Sequence, residues 1–170
     1  MNQIKFYGDI AKIEDQPDGT LKVYGYASTE AVDADGEIVR SSAIKGALDD
    51  YMKFGAVREM HQAKAAGTAI EARVEPDGKT FFGAHVVDSE AVKKVKHKVY
   101  KGFSIGGNII ERDPVNKNEI TQLKLVEISL VDRPANPEAV FCMYKAEDSA
   151  PDVSLTVLRT LQNVHDMADV

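Results

Sequence analysis

Three pairs of alternating segments, each divided by a polar turn, predict three β-hairpins. The pairs are residues 4–14 with 21–26, residues 68–75 with 79–87, and residues 104–111 with 119–131. An apolar side chain at every second position gives a strand one buried face. A Pro-Asp-Gly turn, which favours a tight reversal of the chain, divides each of the first two pairs. Strands are therefore the main element that the pattern predicts.

A helical spacing of apolar residues appears after residue 40. The residues near one face are Ile44, Leu48, Tyr51 and Met52. Positions three or four apart lie on the same side of a helix, so this face is the buried one. Ser41 or Ser42 is the predicted N-cap, because a hydroxyl oxygen accepts a hydrogen bond from an unpaired backbone N–H. Gly55 is the predicted end of this helix.

A second helix is predicted between Asp88 and Gly102. Asp88 or Ser89 is expected to cap its first turn, and lysines occupy a solvated face opposite the apolar one. The positions spaced for burial are Val92, Val95 and Val99. A helix that ends at Gly102 would place Ser104 at the start of the next strand.

These elements predict an α+β fold, with a mainly antiparallel, barrel-like sheet and a few surrounding helices. Residues 1–145 form the predicted folded domain. From Ala146 the composition turns acidic and small, and residues 153–165 carry an apolar stripe of helical spacing. We therefore expect residues 146–170 to be a mobile acidic linker with a short C-terminal helix.

Composition narrows the class of protein and its partners. The 170 residues suit one domain, and 44% hydrophobic with 28% charged residues is ordinary for a soluble globular chain. The net charge of −6 argues against nucleic acid as the main partner, since phosphate binding needs clustered lysine and arginine. Cys142 is the single cysteine, so we expect no internal disulfide and a reducing cytosol. Neither a signal peptide nor a membrane span is expected.

A serine enclosed by glycines is the first candidate for chemistry. Ser104 lies in Lys-Gly-Phe-Ser-Ile-Gly-Gly, residues 101–107. Glycines allow the backbone to approach a substrate closely. A serine in this setting is also common as an ordinary turn residue. Because a neutral hydroxyl is a poor nucleophile, a catalytic Ser104 requires a base within hydrogen-bonding reach.

A carboxylate inside an apolar strand is the second candidate. Glu127 lies in Leu-Val-Glu-Ile-Ser-Leu-Val, residues 125–131, where a buried charge is costly unless it has a partner. Alternation puts Glu127 on the same face as Leu125 and Ser129. This pattern is compatible with a face that lines a cleft and with a face that meets solvent.

Four histidines are candidates for a base. His61 follows Arg-Glu-Met beyond the first predicted helix, and His85 alternates into a predicted strand. His97 lies within a lysine run, and His165 belongs to the C-terminal segment. A nucleophile, a base and a carboxylate that orients the base are the parts of a serine-hydrolase triad. The sequence therefore contains every residue type that such a triad needs.

The sequence contains no complete metal or cofactor motif. Asp33, Asp35 and Glu37 look like a fragment of a calcium loop, but their set of carboxylates is incomplete. We predict that they cap a loop. No CxxC, HExxH or phosphate-loop pattern occurs, so neither a metal nor a cofactor is expected.

Several segments together resemble the prohead, or capsid-maturation, proteases of tailed phages, which are distant relatives of the herpesvirus assemblins. The resemblance covers roughly residues 20–140 and follows the family's order, and its most specific parts are the serine and Glu-Ile-Ser-Leu-Val blocks. The matching segments are Val23–Ser28 with Asp33–Val39, then Met60 with His61, then Gly102–Gly107, then Glu127–Val131 with Pro134–Pro137.

The resemblance implies a serine endopeptidase of assemblin-like fold. Ser104 would be its nucleophile, His61 its base and Glu127 the carboxylate that orients the base, while His85 is the main competitor of His61. The implied substrates are phage scaffold and major capsid protein within the assembling prohead, in the host cytoplasm, together with the chain itself.

An oxyanion hole is also required, because negative charge develops on the carbonyl oxygen of the substrate. Backbone N–H groups of Ser104, Ile105 or Gly106 are candidates for it. Arg133 is a further candidate by analogy with an arginine-bearing loop of the herpesvirus enzymes, although this sequence lacks the paired arginines of that loop.

Two other functions are compatible with the same residues. One is a catalytically inactive capsid-assembly or scaffold-binding module of the same fold, which the presence of all three side chains disfavours. The other is a hydrolase that acts on a small ester with the same triad. A homo-oligomer is compatible with each function.

Overall fold

The computed structural model of the chain describes residues 3–33 and 35–133, and this part contains eight strands and two helices. The elements are, in chain order, β1 (Gln3–Asp15), β2 (Leu21–Ser28), β3 (Ile38–Val39), α1 (Ser41–Met52), β4 (Ala56–Glu59), β5 (Ala65–Val74), β6 (Thr80–Val86), α2 (Ser89–Lys96), β7 (Gly102–Arg112) and β8 (Glu119–Val131). The predicted predominance of strands is confirmed.

All eight strands belong to one mixed sheet, in the order β3-β8-β4-β5-β6-β2-β1-β7. Because β7 also pairs with β8, the seven strands from β8 to β7 in this order form a closed ring. Strand β3 pairs with β8 outside the ring. Strands β3 and β4 run parallel to β8, and the other neighbours are antiparallel. The fold is α+β, mainly antiparallel and barrel-like, as predicted. The two parallel pairings were not predicted.

The three predicted hairpins are confirmed as β1–β2, β5–β6 and β7–β8. In the first two, the Pro-Asp-Gly turn ends on a glycine with positive φ, which is 82° at Gly19 and 84° at Gly78. A side chain at either position would be strained in this left-handed conformation. The turn chemistry read from the sequence therefore accounts for these two reversals.

Helix α1 has the predicted span, but its predicted cap is wrong. The N-cap residue is Arg40, and no side chain of a predicted serine accepts a capping bond there. Instead, the carboxylate of Glu30 accepts a hydrogen bond from the backbone N–H of Ser41 at 2.6 Å. The cap thus comes from a residue that is distant in sequence. Gly55, with φ of 55°, donates its N–H to the carbonyl of Tyr51 at 2.8 Å beyond the last turn.

Helix α2 begins as predicted but ends early. Asp88 is its N-cap and accepts a hydrogen bond from the N–H of Ala91 at 2.8 Å. The helix ends at Lys96, not at Gly102. Val99 consequently leaves the helical stripe and is 48% exposed, so its predicted burial is wrong.

The core combines inward-facing side chains of the strands with the apolar faces of both helices. Its largest fully buried members are Phe82, Phe103, Leu21, Ile44, Ile105, Ile120, Ile128 and Leu130. Burying each such side chain contributes about 1.5–3 kcal/mol relative to leaving it in water. Phe103 and Ile105 belong to β7, and Ile128 belongs to β8. Because a slip of one residue would turn these side chains out of the core, their burial sets the register of the two strands.

The predicted linker and C-terminal helix, residues 146–170, lie outside the described residues, so the domain boundary at residue 145 stays a prediction. Cys142 and His165 lie outside them as well. Within the described part of the chain, neither helix has the length and apolar composition required to cross a bilayer.

Candidate active site

Ser104 lies in β7, where its backbone pairs with Tyr7 of β1 and with Ser129 of β8. Its neighbours Phe103 and Ile105 alternate to the opposite face of the strand and pack in the core. Ser104 is itself fully buried, with an exposed fraction of 0%. A substrate therefore reaches this hydroxyl only where neighbouring groups move aside.

Glu127 emerges from β8 on the same face as Ser104. The register pairs Ser104 with Ser129 and Gly106 with Glu127. Residues paired across two strands, and residues two apart in one strand, have their side chains on one face. Glu127 is 5% exposed, so this face does not meet solvent.

His61 reaches the same face from a third strand. Strand β4 runs parallel to β8 with Glu59 opposite Leu130, and His61 lies in the turn that follows. Met60 and His61 have φ angles of 51° and 57°, a left-handed conformation that costs roughly 1–2 kcal/mol per residue. Two hydrogen bonds hold this turn: the Met60 N–H donates to the Leu130 carbonyl at 3.0 Å, and the His61 N–H donates to Ser129 Oγ at 2.9 Å.

The three side chains form one hydrogen-bonded chain. His61 Nδ1 is 2.5 Å from Glu127 Oε1, and His61 Nε2 is 2.7 Å from Ser104 Oγ. An ionised carboxylate only accepts hydrogen bonds, so Nδ1–H is the donor to Glu127. Nε2 then accepts the hydrogen bond from the serine hydroxyl. In this arrangement the imidazole can remove the proton of Ser104.

A fourth side chain, which the sequence analysis did not single out, belongs to the same network. Ser129 Oγ donates to Glu127 Oε2 at 2.6 Å while it accepts the backbone N–H of His61. Ser129 follows Glu127 by two positions, so alternation along the strand was the available signal for it.

Gly106 leaves the space that the side chains of Glu127 and His61 occupy. A Cβ atom at this position would lie far inside contact distance of Glu127 Oε1 and 3.2 Å from His61 Nδ1. The sequence analysis attributed this glycine to close approach by a substrate. In the structure, it is the carboxylate of Glu127 that lies against the bare backbone.

The buried environment of Glu127 also affects Tyr51. Burial, followed by the negative charge of Glu127, raises the pKa of Tyr51, whose neutral hydroxyl donates to the Ala56 carbonyl at 3.1 Å. Among the described residues, no lysine or arginine forms an ion pair with Glu127. Its hydrogen-bond partners in the described part of the chain are His61 and Ser129.

The predicted contributors to an oxyanion hole differ in their distance from Ser104. Ile105 and Gly106 follow it directly, in a strand that has neighbours on both sides. The ladder of β7 and β8 shifts register between Gly106 and Gly107, and at such an irregularity a backbone N–H can leave the ladder. Arg133 is exposed and lies four residues beyond the partner of Ser104, about 13 Å along an extended chain. These positions favour the backbone groups.

The other described histidines lie elsewhere. His85 is in β6, and its Nε2 is 2.7 Å from Thr20 Oγ1. His97 follows the last turn of α2 and is exposed. Of the histidines that the structure describes, His61 alone is hydrogen-bonded to Ser104.

A second buried carboxylate, Glu59, lies two residues before His61 and is 2% exposed. Lys94 Nζ is 2.7 Å from its Oε2, which also accepts the Tyr100 hydroxyl, and Lys64 Nζ is 2.6 Å from its Oε1. Burial by itself raises the pKa of Glu59, but these three donors outweigh it and lower the pKa to about 2. Lys94 was expected on a solvated helix face, and its contact with Glu59 corrects that expectation.

The acidic loop before α1 is closed by its own carboxylate. Asp33 Oδ1 accepts the backbone N–H groups of Asp35 at 2.9 Å and Glu37 at 2.7 Å, so the predicted loop capping is confirmed for Asp33. The carboxylate of Glu37 forms an ion pair with Arg112 instead. Over residues 3–33 and 35–133, no three His, Cys, Asp or Glu side chains are arranged to hold a metal ion.

Comparisons with known proteins agree with this fold. The prohead protease of Escherichia phage T5 is 28% identical over 142 residues, which are 76% of this chain and 65% of that protein, so the chain spans slightly under two thirds of that relative. The structure of the bacteriophage T4 capsid assembly protease matches with a TM-score of 0.61 at 14% identity, covering 76% of this chain and 97% of that one. At this identity the structural match supports the fold alone.

The family comparison covers most of the chain. A family model described as caudovirus prohead serine protease matches residues 12–150. The matched range contains Ser104, His61, Glu127 and Ser129. The resemblance drawn from the sequence is therefore confirmed, and the chain belongs to the caudovirus prohead serine protease family.

Proposed function

We propose that this chain is a serine endopeptidase with a Ser-His-Glu triad. Ser104 is the nucleophile, His61 is the general base, and Glu127 orients the base. The observation that carries the proposal is the unbroken chain of hydrogen bonds from Ser104 Oγ through the imidazole to Glu127, at 2.7 and 2.5 Å. Family membership supports the reaction class.

In the proposed reaction, His61 Nε2 takes the hydroxyl proton as Ser104 Oγ attacks the peptide carbonyl. The imidazolium then passes this proton to the leaving amine, and Glu127 stabilises its positive charge through Nδ1–H. A water molecule attacks the acyl-enzyme by the same proton transfers and restores Ser104. Because Glu127 and Ser104 are buried, the electrostatic interactions among these groups are stronger than in water.

The oxyanion hole of the proposal uses the backbone N–H groups of Ile105 or Gly106, with Arg133 as the alternative. If the backbone groups suffice, replacing Arg133 with Ala should lower activity by less than about tenfold. A loss of about 10²–10³-fold in kcat, the usual effect of removing one oxyanion donor, would assign the role to Arg133.

The proposed substrates are scaffold and major capsid protein segments in the assembling prohead, within the host cytoplasm, and the chain itself. The family match and the two relatives, a prohead protease and a capsid assembly protease, support this substrate class. Nucleic acid is not a proposed partner, given the net charge of −6. A homo-oligomer is compatible with the proposal.

The test is co-expression of the chain with the phage capsid and scaffold proteins, followed by intact-mass spectrometry of all products. The wild type should shorten these proteins and itself, and Ser104→Ala should lower the rate by at least about 10⁴-fold. Ser28→Ala, at another buried serine, is the matched control and should cleave normally. Activity of Ser104→Ala within tenfold of wild type would refute the assignment of the nucleophile.

Two histidine variants test the base. His61→Ala should be nearly as damaging as loss of the nucleophile, because the serine proton then has no acceptor. His85→Ala should stay within a few fold of wild type, since its ring contacts Thr20. The reverse order of effects would show that the base is misassigned.

A fluorophosphonate label separates the alternative functions. A non-catalytic assembly module would not react with it. A hydrolase of small esters would react at Ser104 but leave capsid and scaffold proteins intact. The endopeptidase should give both the label and the cleaved proteins.

A further inference from the structure

A buried hydroxyl outside the triad contacts two of its members. Ser129 is 0% exposed, and its Oγ lies 2.6 Å from Glu127 Oε2 and 2.9 Å from the backbone nitrogen of His61. A serine hydroxyl has one proton to donate and lone pairs to accept. Both functions are used within the site, the proton toward the carboxylate and a lone pair toward the histidine backbone.

We propose that Ser129 is a positioning residue that aligns Glu127 and His61 with each other. This inference rests on the proposed function, because it concerns the alignment of that triad. Ser129 contacts neither the reacting atoms nor Ser104 Oγ by any hydrogen bond of the described structure. It acts through the two groups that it holds.

The effect on Glu127 follows from the geometry of its carboxylate. The terminal torsion of a glutamate is soft, so a carboxylate held at one oxygen can rotate. Glu127 is held at both oxygens, by His61 at Oε1 and by Ser129 at Oε2. Loss of the second bond would allow Oε1 to leave the line of the imidazole Nδ1–H.

The effect on His61 follows from its backbone. Its φ of 57° is a strained conformation, and its N–H has Ser129 Oγ as acceptor. Loss of this hydrogen bond costs about 0.5–1.5 kcal/mol. The turn has an independent anchor, because the Met60 N–H donates to the Leu130 carbonyl. Removing the hydroxyl should therefore loosen the orientation of His61 while the fold is kept.

The test measures how fast a small fluorophosphonate reacts with Ser104 in the full chain. In this reaction Oγ bonds to phosphorus, fluoride leaves, and the hydroxyl proton passes to His61 Nε2. Ser129→Ala should lower kinact about 10–100-fold, in line with the cost of a 1 Å misplacement, and leave KI within about twofold. Ser28→Ala is the control and should change neither constant by more than about twofold.

Ser129→Cys provides a second variant of nearly the same volume. Its thiol is a weak donor and acceptor, so its kinact should also fall below that of wild type. If the alanine variant does not fold, the kinact of the cysteine variant is the test of the inference. The inference would be overturned if the cysteine variant had the kinact of wild type, or if the kinact of the alanine variant stayed within twofold of wild type. It would also be overturned if KI changed as much as kinact.

Proton NMR gives a readout that needs no substrate. The far-downfield resonance of the Nδ1 proton between His61 and Glu127 should be present in wild type and Ser28→Ala, and broadened or shifted in Ser129→Ala. An unchanged resonance would count against the positioning role. If wild type is not labelled by the fluorophosphonate, the proposed function fails, while the resonance still tests the alignment of the two side chains.

Discussion

Glu127 and Glu59 are both buried close to His61, yet their partners differ in kind. Glu127 is hydrogen-bonded by the imidazole and by a serine hydroxyl. Glu59 forms ion pairs with Lys94 and Lys64 and accepts a tyrosine hydroxyl. The partners of Glu127 are an imidazole and a hydroxyl, whereas the charge of Glu59 is compensated by two lysines.

This difference indicates which carboxylate is suited to chemistry. In the proposed mechanism, the charge of Glu127 stabilises the positive imidazole when His61 takes a proton. The charge of Glu59 is compensated by lysines, so it adds little to the basicity of the histidine. Burial of a carboxylate is therefore a poor guide to a catalytic role unless the charge of its partners is considered.

Glu59 is suited to a structural role instead. Its N–H donates to the Lys64 carbonyl at 3.1 Å, and its carbonyl accepts the Gln62 N–H at 2.9 Å, so its backbone closes the turn that carries His61. Its side chain reaches Lys94 of α2 and Tyr100, in the segment that leads into β7. Glu59 thus ties the histidine turn to the entry of the serine strand.

The largest expected effect is a loss of kcat in Glu127→Gln that Glu59→Gln does not show. Glu127→Gln keeps the size of the side chain but removes the charge that selects the tautomer and stabilises the imidazolium. It should lower kcat about 10²–10⁴-fold. Glu59→Gln should lower kcat less than about tenfold, because the carboxylate of Glu59 is held by Lys94, Lys64 and Tyr100. The measurement is the initial rate of cleavage of co-purified capsid protein.

Glu127→Asp sharpens the same comparison, since the shorter side chain keeps the charge and should retain more activity than the glutamine variant. Full activity of Glu127→Gln would reduce the triad to a dyad. Equal losses in Glu127→Gln and Glu59→Gln would remove the distinction between the two carboxylates.

An intermediate effect is expected at Gly106, which lies beside Glu127 and not beside Glu59. Gly106→Ala places a methyl group where the carboxylate lies, and 3.2 Å from His61 Nδ1. Displacing these groups by about 1 Å should lower kcat about 10²-fold. Gly46→Ala in α1, where an added Cβ meets nothing within 4 Å, is the control and should keep full activity. Normal kinetics of Gly106→Ala would mean that the triad tolerates displacement.

The smallest effect on activity, but a clear one on stability, is expected at Glu59. Its pKa of about 2 in the folded chain lies below the ordinary value of 4.5. The ionised form is therefore stabilised by folding. This contribution is complete above about pH 4.5 and is lost as pH falls toward 2. Glu59→Gln should lower the free energy of unfolding by about 2 kcal/mol at pH 7, after allowance for the partial exposure of both lysines.

The measurement is urea unfolding of wild type and Glu59→Gln at pH 7, 4 and 3. The difference between the two should shrink as the pH falls below about 4.5. Glu90→Gln, which removes an exposed ion pair with Lys93, is the control and should cost less than about 0.5 kcal/mol. A difference for Glu59→Gln that does not depend on pH would show that its charge is not what stabilises the turn.

Local pattern in the sequence was sufficient for the hairpins and for much of the site. Alternation and turn residues predicted β7 and β8 as partners, and this pairing brings Ser104 and Glu127 to one face. Capping chemistry predicted the start of α2 at Asp88 or Ser89, and its N-cap is Asp88. These features were readable because each depends on residues that are close in sequence, with periods set by backbone geometry.

Other features were decided only by tertiary structure. The parallel pairing of β4 with β8 brings His61 to the serine, and periodicity could not choose it over His85; the family resemblance did. The cap that Glu30 provides for α1 and the ion pairs of Glu59 also join residues from different elements. The hydrogen bond between Ser129 and the backbone of His61 also joins residues from different elements. The physical reason is that a polar side chain's partner is set by which strands and helices pack together, and its own local sequence carries no record of that packing.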